Sequence, residues 1–366
     1  MSPALDAPVI VASDYRAPWW LRNAHLQTLL GTSSVRRGHA CRAFAAVQAI
    51  TREHILEVDD GARLHGLHSA RQDVPARGLV LLLHGWEGSA ESSYMRFTAA
   101  GLLARGFEVF RLNFRDHGDS HHLNEALFHS NRIAEVVQAA CAVADMFPAR
   151  PLFAAGYSLG GNFALRLGLH APDAGLPLRQ IAAVCPVLDP AVTMDTMEDG
   201  SGVYARHFRR SWARSLRRKR ALYPQQHDYD DDLLKSPLRE LTRWLVERHT
   251  DYESLDHYFD GYAIGGGRLA GLQVPASLLT SADDPVIPVA DFHRLQLPAN
   301  ARLEIASHGG HCGFLRNVRL DGYGEDWVVW TLEAAAVAAA ASSAPSLPPQ
   351  PNAVGPALAA ATLSRS

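Results

Sequence analysis

Three things that would have narrowed the function quickly are missing from this chain. The first is an excess of charge of one sign. The 35 Lys and Arg stand against 38 Asp and Glu, a net charge of −3, so no global field draws the chain to nucleic acid. The second is a cysteine framework. Of 366 residues only Cys41, Cys141, Cys185 and Cys312 are cysteine, with no C-x-x-C pair. That scatter argues against disulfides and against a thiolate metal site, and it fits a reducing cytoplasm, the expected location. The third is a long apolar run. None reaches the ~20 residues needed to span a bilayer. Val328 to Ala341 comes nearest, but Glu333 interrupts it and its second half is mostly alanine, so it reads as the last helix of a domain. The N-terminus lacks a basic start followed by an apolar core, and no signal peptide is expected.

What remains is ordinary for a soluble globular protein: 47% hydrophobic and 20% charged residues. The length suits one large α/β domain with insertions, or two domains. Residues 52–58 and 62–68 alternate as paired strands do, with Asp59-Asp60-Gly61 between them. A regular rhythm follows. Leu79–Leu83 is a continuous apolar run, as in a strand covered on both faces. Tyr94–Arg105 has helical spacing and stops at Gly106. Phe107–Phe114 predicts a strand, Asn131–Met146 a helix, Leu152–Ala155 a strand, Asn162–His170 a helix, and Ile181–Cys185 a strand. This alternation predicts a parallel sheet with helices on both faces.

The rhythm stops between about 189 and 270, where polar, basic and aromatic residues suggest helices alone. Strand character returns at 276–280 and 302–305. The expected organisation is therefore an N-terminal segment, 1–50, without clear regular structure but packed on the body through the adjacent Trp19 and Trp20. The core runs over 51–188 and 271–341, with a helical cap or lid at 189–270. The Ala-, Ser- and Pro-rich tail at 342–366 is expected to be disordered.

The most informative stretch is Gly156-Tyr157-Ser158-Leu159-Gly160, a G-x-S-x-G between a predicted strand and a predicted helix. In that context the motif is a nucleophile elbow, a sharp turn exposing Ser158 at the carboxyl end of a strand. A serine hydroxyl needs a base beside it and a third group to orient that base. In this topology the chain order is Ser, then an acid, then His. Two later loops fit. Strand 276–280 runs into Asp283-Asp284-Pro285-Val286-Ile287-Pro288, and strand 302–305 runs into His308-Gly309-Gly310-His311. Both follow strands, so both reach the sheet edge where Ser158 stands. Asp284, at the head of a proline-stiffened loop, is favoured over Asp283. His311, after two glycines, is favoured over His308. Stabilising an oxyanion takes two backbone donors. The amide of Leu159 is one. The amide of Trp86 in His84-Gly85-Trp86-Glu87-Gly88, after strand 79–83, is the other.

Two clusters invite other readings. Asp116, His117, Asp119, His121 and His122 are metal-ligand types but share one loop, so a polar turn beside the site is expected and no metal is assigned. Arg217-Arg218-Lys219-Arg220 reads as the solvated face of the cap, because no global basic excess supports an anionic partner.

Taken together, Arg22-Asn23-Ala24-His25-Leu26-Gln27-Thr28, His84 to Gly88, Asn113-Phe114-Arg115, Gly156 to Asn162, Asp283-Asp284-Pro285 and His308 to Phe314 resemble the YheT-type branch of the α/β-hydrolase superfamily over about residues 15–335. The resemblance implies an α/β-hydrolase fold with a mostly parallel sheet of about eight strands, a helical cap, and no cofactor. It implies hydrolysis of carboxylic esters: short- to medium-chain acyl esters, acylglycerols or phospholipids. Ser158, Asp284 and His311 match the triad positions. Asp116-His117-Gly118-Asp119 departs from the Gly-rich turn usual in that branch. The expected partner is a small-molecule or lipid ester, with peripheral membrane contact compatible and no nucleic acid. An acyltransferase using the same residues, or a non-catalytic ligand-binding protein on this fold, are the alternatives.

Overall fold

The computed structural model describes residues 9–58, 61–199 and 202–343. The Asp59-Asp60 turn and nearly all of the 342–366 tail lie outside the described residues.

Nine strands form a single sheet: β1 (Val9–Ala12), β2 (Ile50–Glu57), β3 (Arg63–Ala70), β4 (Leu79–Leu83), β5 (Glu108–Leu112), β6 (Leu152–Tyr157), β7 (Leu178–Val184), β8 (Ala276–Ser281) and β9 (Ala301–Ala306). Their order across the sheet is β1-β9-β8-β7-β6-β4-β5-β3-β2. Only β3 runs against its neighbours, pairing antiparallel with both β2 and β5. Every residue of β4, β5 and β6 is buried, because parallel crossovers place helices over both faces. The polar exceptions in β5 are paired. Arg111 Nη1 donates to Ala90 O at 2.8 Å, and Glu108 accepts from Arg150 Nε at 3.0 Å. The ninth strand is β1, which adds to the edge of β9 in parallel register from Val9↔Arg302 to Ala12↔Ile305.

The helices are α1 (Ala24–Gly31), α2 (Ser34–Ala46), α3 (Ser93–Ala104), α4 (Ile133–Met146), α5 (Leu159–His170), α6 (Pro190–Asp199), α7 (Val203–Leu222), α8 (Leu238–His249), α9 (Leu255–Asp260), α10 (Val289–His293) and α11 (Tyr323–Ser343). One core lies between the sheet and α3 with α11. The other lies under α4 and α5 and continues without a break into α6 to α9. Between β7 and β8 the described residues contain no strand. Among the described residues no helix is long and apolar enough to cross a membrane.

The N-terminal segment packs on the body, but not through its tryptophans. Trp19 is 80% exposed and Trp20 36%, while Leu21 is fully buried. All three sit in one 3₁₀ turn, and a single turn of that kind presents only one of its three side chains inward. The anchors are instead Tyr15, Gln27 and Arg36, all buried. Arg36 donates to Glu325 Oε1 at 2.6 Å and to Leu320 O at 3.0 Å, which ties α2 to α11.

Candidate active site

The chain leaves β6 and enters α5 through Ser158, whose backbone lies at φ +53°, ψ −119°. A non-glycine residue with positive φ is strained, and such strain persists only where the surroundings enforce it. They do so here. The Ser158 amide donates to Val184 O at 2.9 Å. Gly160 lies so close to β4 that an added Cβ would stand 2.2 Å from Leu83 O, so any side chain there pushes the elbow off the sheet. Leu159 is the first residue of α5, which makes its amide one of the donors that a helix leaves unpaired.

The structure brings Ser158, His311 and Asp284 together. His311 Nε2 is 2.9 Å from Ser158 Oγ, and His311 Nδ1 is 2.9 Å from Asp284 Oδ2. The other carboxylate oxygen of Asp284 accepts the amides of Val286 at 2.8 Å and Ile287 at 3.0 Å, so the Pro285 turn fixes its direction. Burial by itself would lower the basicity of His311. The Asp284 carboxylate, then Cys312, then the hydrogen bond to Asp284 outweigh it and raise the imidazole to about 9. Asp283 points elsewhere, accepting the Gly310 amide at 2.9 Å. It thus clamps the backbone of the loop whose side chain Asp284 orients. His308 is partly exposed and takes no part in this chain of bonds.

What holds the His311 loop from the other side was not legible as a site. Thr28 Oγ1 accepts the His311 amide at 2.9 Å. Gln27, fully buried, accepts the Leu315 amide at 2.7 Å and donates to Leu21 O and Tyr15 Oη, each at 2.8 Å. Gly310, at φ +57°, passes so near α1 that a Cβ would stand 2.4 Å from Ala24 O. The Arg22–Thr28 stretch therefore supports the loop that carries the histidine. In the sequence the stretch counts as part of the family resemblance, and nothing in its composition ties it to the histidine.

The loop after β4 is wired just as fully. His84 is buried. Its Nδ1 donates to Gly85 O at 2.8 Å, and its Nε2 accepts the Phe114 amide at 3.2 Å. Burial holds its basicity well below the usual histidine range. The Gly85 amide is used by Tyr94 Oη at 2.9 Å and the Glu87 amide by His117 Nε2 at 3.2 Å. Between them, the Trp86 amide has no acceptor among the described residues. The Trp86 ring stacks on Phe208 with centroids 5.2 Å apart and meets Trp212 edge-on at 5.5 Å. It joins the loop to α7.

A cavity opens at Ser158, Leu159 and Trp86; together with the open solvent at its mouth the space is about 730 Å³. Its remaining walls are mostly apolar and come largely from the helical stretch, among them Met194, Met197, Phe208, Trp212, Leu245 and Phe259.

The other polar clusters have separate partners. Asp116 takes Lys219 Nζ at 2.6 Å, His121 meets Ser215 Oγ at 2.8 Å, and His122 bonds Asp119 O at 3.0 Å. The basic run on α7 is only partly a solvated face. Lys219 is buried, Arg218 pairs with Asp119 at 2.9 Å, and Arg220 pairs with Asp231 at 2.8 Å. Asp116, at φ +59°, thus pins α7 to the loop after β5, which is where the sequence leaves the Gly-rich turn.

Residues 78–318, about two thirds of the chain, match the family described as alpha/beta hydrolase fold. The chain belongs to that family. It is 27% identical over 271 residues to "Putative esterase YheT" of Escherichia coli, covering 70% of this chain and 77% of that one. It is 24% identical over 251 residues to phospholipase ABHD3 of Bos taurus; the match covers 67% of this chain and spans only 60% of that protein's length. The Pyrococcus furiosus esterase Pf2001 shares the fold at a TM-score of 0.50 and 17% identity, over 79% of this chain and 92% of its own. The YheT-type resemblance read from the motifs agrees with the match to the Escherichia coli protein and with the family. The relatives of this α/β-hydrolase are hydrolases of esters and lipids by name.

Proposed function

We propose that this α/β-hydrolase is a serine esterase that cleaves carboxylic esters through an acyl-enzyme on Ser158. The observation that carries the reading is the unbroken chain of 2.9 Å hydrogen bonds from Ser158 through His311 to Asp284 at the mouth of an apolar cavity. His311 Nε2 takes the Ser158 proton as Oγ attacks the ester carbonyl, and the imidazolium returns it to the leaving alcohol. The same nitrogen then deprotonates a water that releases the acid. Asp284 keeps the Nδ1 proton in place and stabilises the imidazolium. The amides of Trp86 and Leu159 receive the developing oxyanion.

Substrate class follows from the cavity. Its walls bring apolar burial worth about 0.8 kcal/mol per methylene, which suits a short- to medium-chain acyl group or an acylglycerol-like lipid. Residues 189–270 act as the cap that shapes it. The names of the YheT and ABHD3 relatives support an ester or lipid substrate. The test is Ser158→Ala in the full chain. It should abolish p-nitrophenol release from p-nitrophenyl butyrate and labelling by a fluorophosphonate probe. Retention of either would sink the assignment of the nucleophile.

A further inference from the structure

Beside the proposed base sit two cysteines that the esterase chemistry does not use. Cys185 follows β7 and Cys312 follows His311. Their sulfur atoms and a ring nitrogen of His311 all lie within 4.8 Å of one another. Neither cysteine is in a disulfide. Both are held by backbone: Cys185 lies at φ +44° and Cys312 at φ +56°, and the Cys185 amide donates to Leu279 O at 2.7 Å. Cys185 is buried, whereas Cys312 is partly exposed and gives a way in.

We propose that Cys185, His311 and Cys312 form a binding site for a thiophilic divalent cation of the zinc or cadmium class, and that filling it switches the enzyme off. Two thiolates and an imidazole are the donor set such ions prefer, and a hard ion such as magnesium avoids it. Metal–sulfur bonds of about 2.3 Å and a metal–nitrogen bond of about 2.0 Å at tetrahedral angles put the donors roughly 3.5 to 3.8 Å apart. From separations no greater than 4.8 Å, closure asks for shifts on the order of 1 Å, which side-chain rotation supplies. On binding, both thiol protons and, where the ring is protonated, one imidazolium proton leave to solvent, and the freed imidazole lone pair goes to the metal. Each ring nitrogen of His311 is already committed, one to Ser158 and one to Asp284. Coordination through either nitrogen therefore breaks the chain. The binding site stands on the cluster alone; only its inhibitory effect rests on His311 being the base.

The experiment has two arms on the full chain. In the first, cadmium is titrated into the metal-free protein and the ultraviolet sulfur-to-cadmium charge-transfer band is followed. One ion per chain is expected, with the band retained in a Cys41→Ser, Cys141→Ser double variant and lost in Cys312→Ser. In the second arm, zinc inhibits p-nitrophenyl butyrate hydrolysis, and Cys312→Ser, measured against its own metal-free rate, needs at least about tenfold more zinc for the same fractional inhibition; magnesium has no effect. Cys185→Ser should behave alike, and if that buried change prevents folding, the partly exposed Cys312 decides by itself. No band in the wild-type protein, a band that survives Cys312→Ser, or an unchanged zinc sensitivity overturns the proposal. A protein that hydrolyses no ester but shows the band keeps the site and refutes the esterase reading instead.

Discussion

Replacing Thr28 by valine tests whether the N-terminal helix positions His311, the proposed base. Thr28 lies outside the cavity lining, and its hydroxyl, which also faces Tyr204, makes two bonds to backbone. It donates to Ala24 O at 2.8 Å within its own helix, and it accepts the His311 amide at 2.9 Å. Valine keeps the shape and removes both. The Ala24 carbonyl still faces its own helix, so the loss falls on the His311 amide, which is left without an acceptor at a cost of about 1–3 kcal/mol. The loop can bear that cost in two ways. It can stay in place, and the whole amount appears as lost stability. Or it can shift to rehydrate the amide, carrying the imidazole off its 2.9 Å contacts with Ser158 and Asp284. Gly309 and Gly310 make the second outcome the cheaper one. A displacement on the order of 1 Å costs about a hundredfold in rate. Thr28→Val should therefore lower kcat on p-nitrophenyl butyrate by roughly 10- to 100-fold with KM little changed, and Thr28→Ser should restore it. The assay is steady-state kinetics of the three proteins beside their thermal unfolding curves. A Thr28→Val protein that loses stability but keeps kcat would refute the reasoning and leave Asp283 and Gln27 as the supports of the loop.

Asp284→Asn removes the charge that raises His311. Because the base must be neutral to act, wild-type kcat/KM should climb as pH rises through about 9. The variant's acid limb should lie at lower pH, with a rate reduced by roughly 10³ to 10⁴; an unmoved limb would assign the titration to another group. Met194→Trp fills part of the cavity wall. It should cost p-nitrophenyl octanoate about tenfold or more in kcat/KM while sparing the acetate, since each excluded methylene forfeits about 0.8 kcal/mol. An equal loss on both esters would place the acyl chain elsewhere.

Much of the fold was readable because its signals are local. Leu79–Leu83 was predicted to the residue, since five consecutive apolar residues before a polar loop have few other homes. The elbow was readable because a strand, a G-x-S-x-G and a helix are contiguous. Strand β1 was not: Val9–Ala12 has no alternation, and only its pairing with β9 makes it a strand. The exposed Trp19 departs from what an adjacent tryptophan pair suggests, because the geometry of one turn decides which residue faces inward.

By itself, the sequence determined the order of chemistry along the chain: a serine at an elbow, then an acid after one strand, then a histidine after another. The parallel strands β4 and β6 to β9 send their carboxyl ends to the same edge, and so turn that order into proximity. Tertiary structure alone decided three further matters. It gave Asp283, the neighbour of the favoured Asp284, the backbone amide of Gly310 to hold. It brought Gln27 and Thr28, far upstream, against the histidine loop. It drew Cys185 and Cys312 together beside His311, two thiols whose spacing in the chain argued against any shared site. Each of these depends on which loops the sheet order makes neighbours, and that order is carried by no single stretch of sequence.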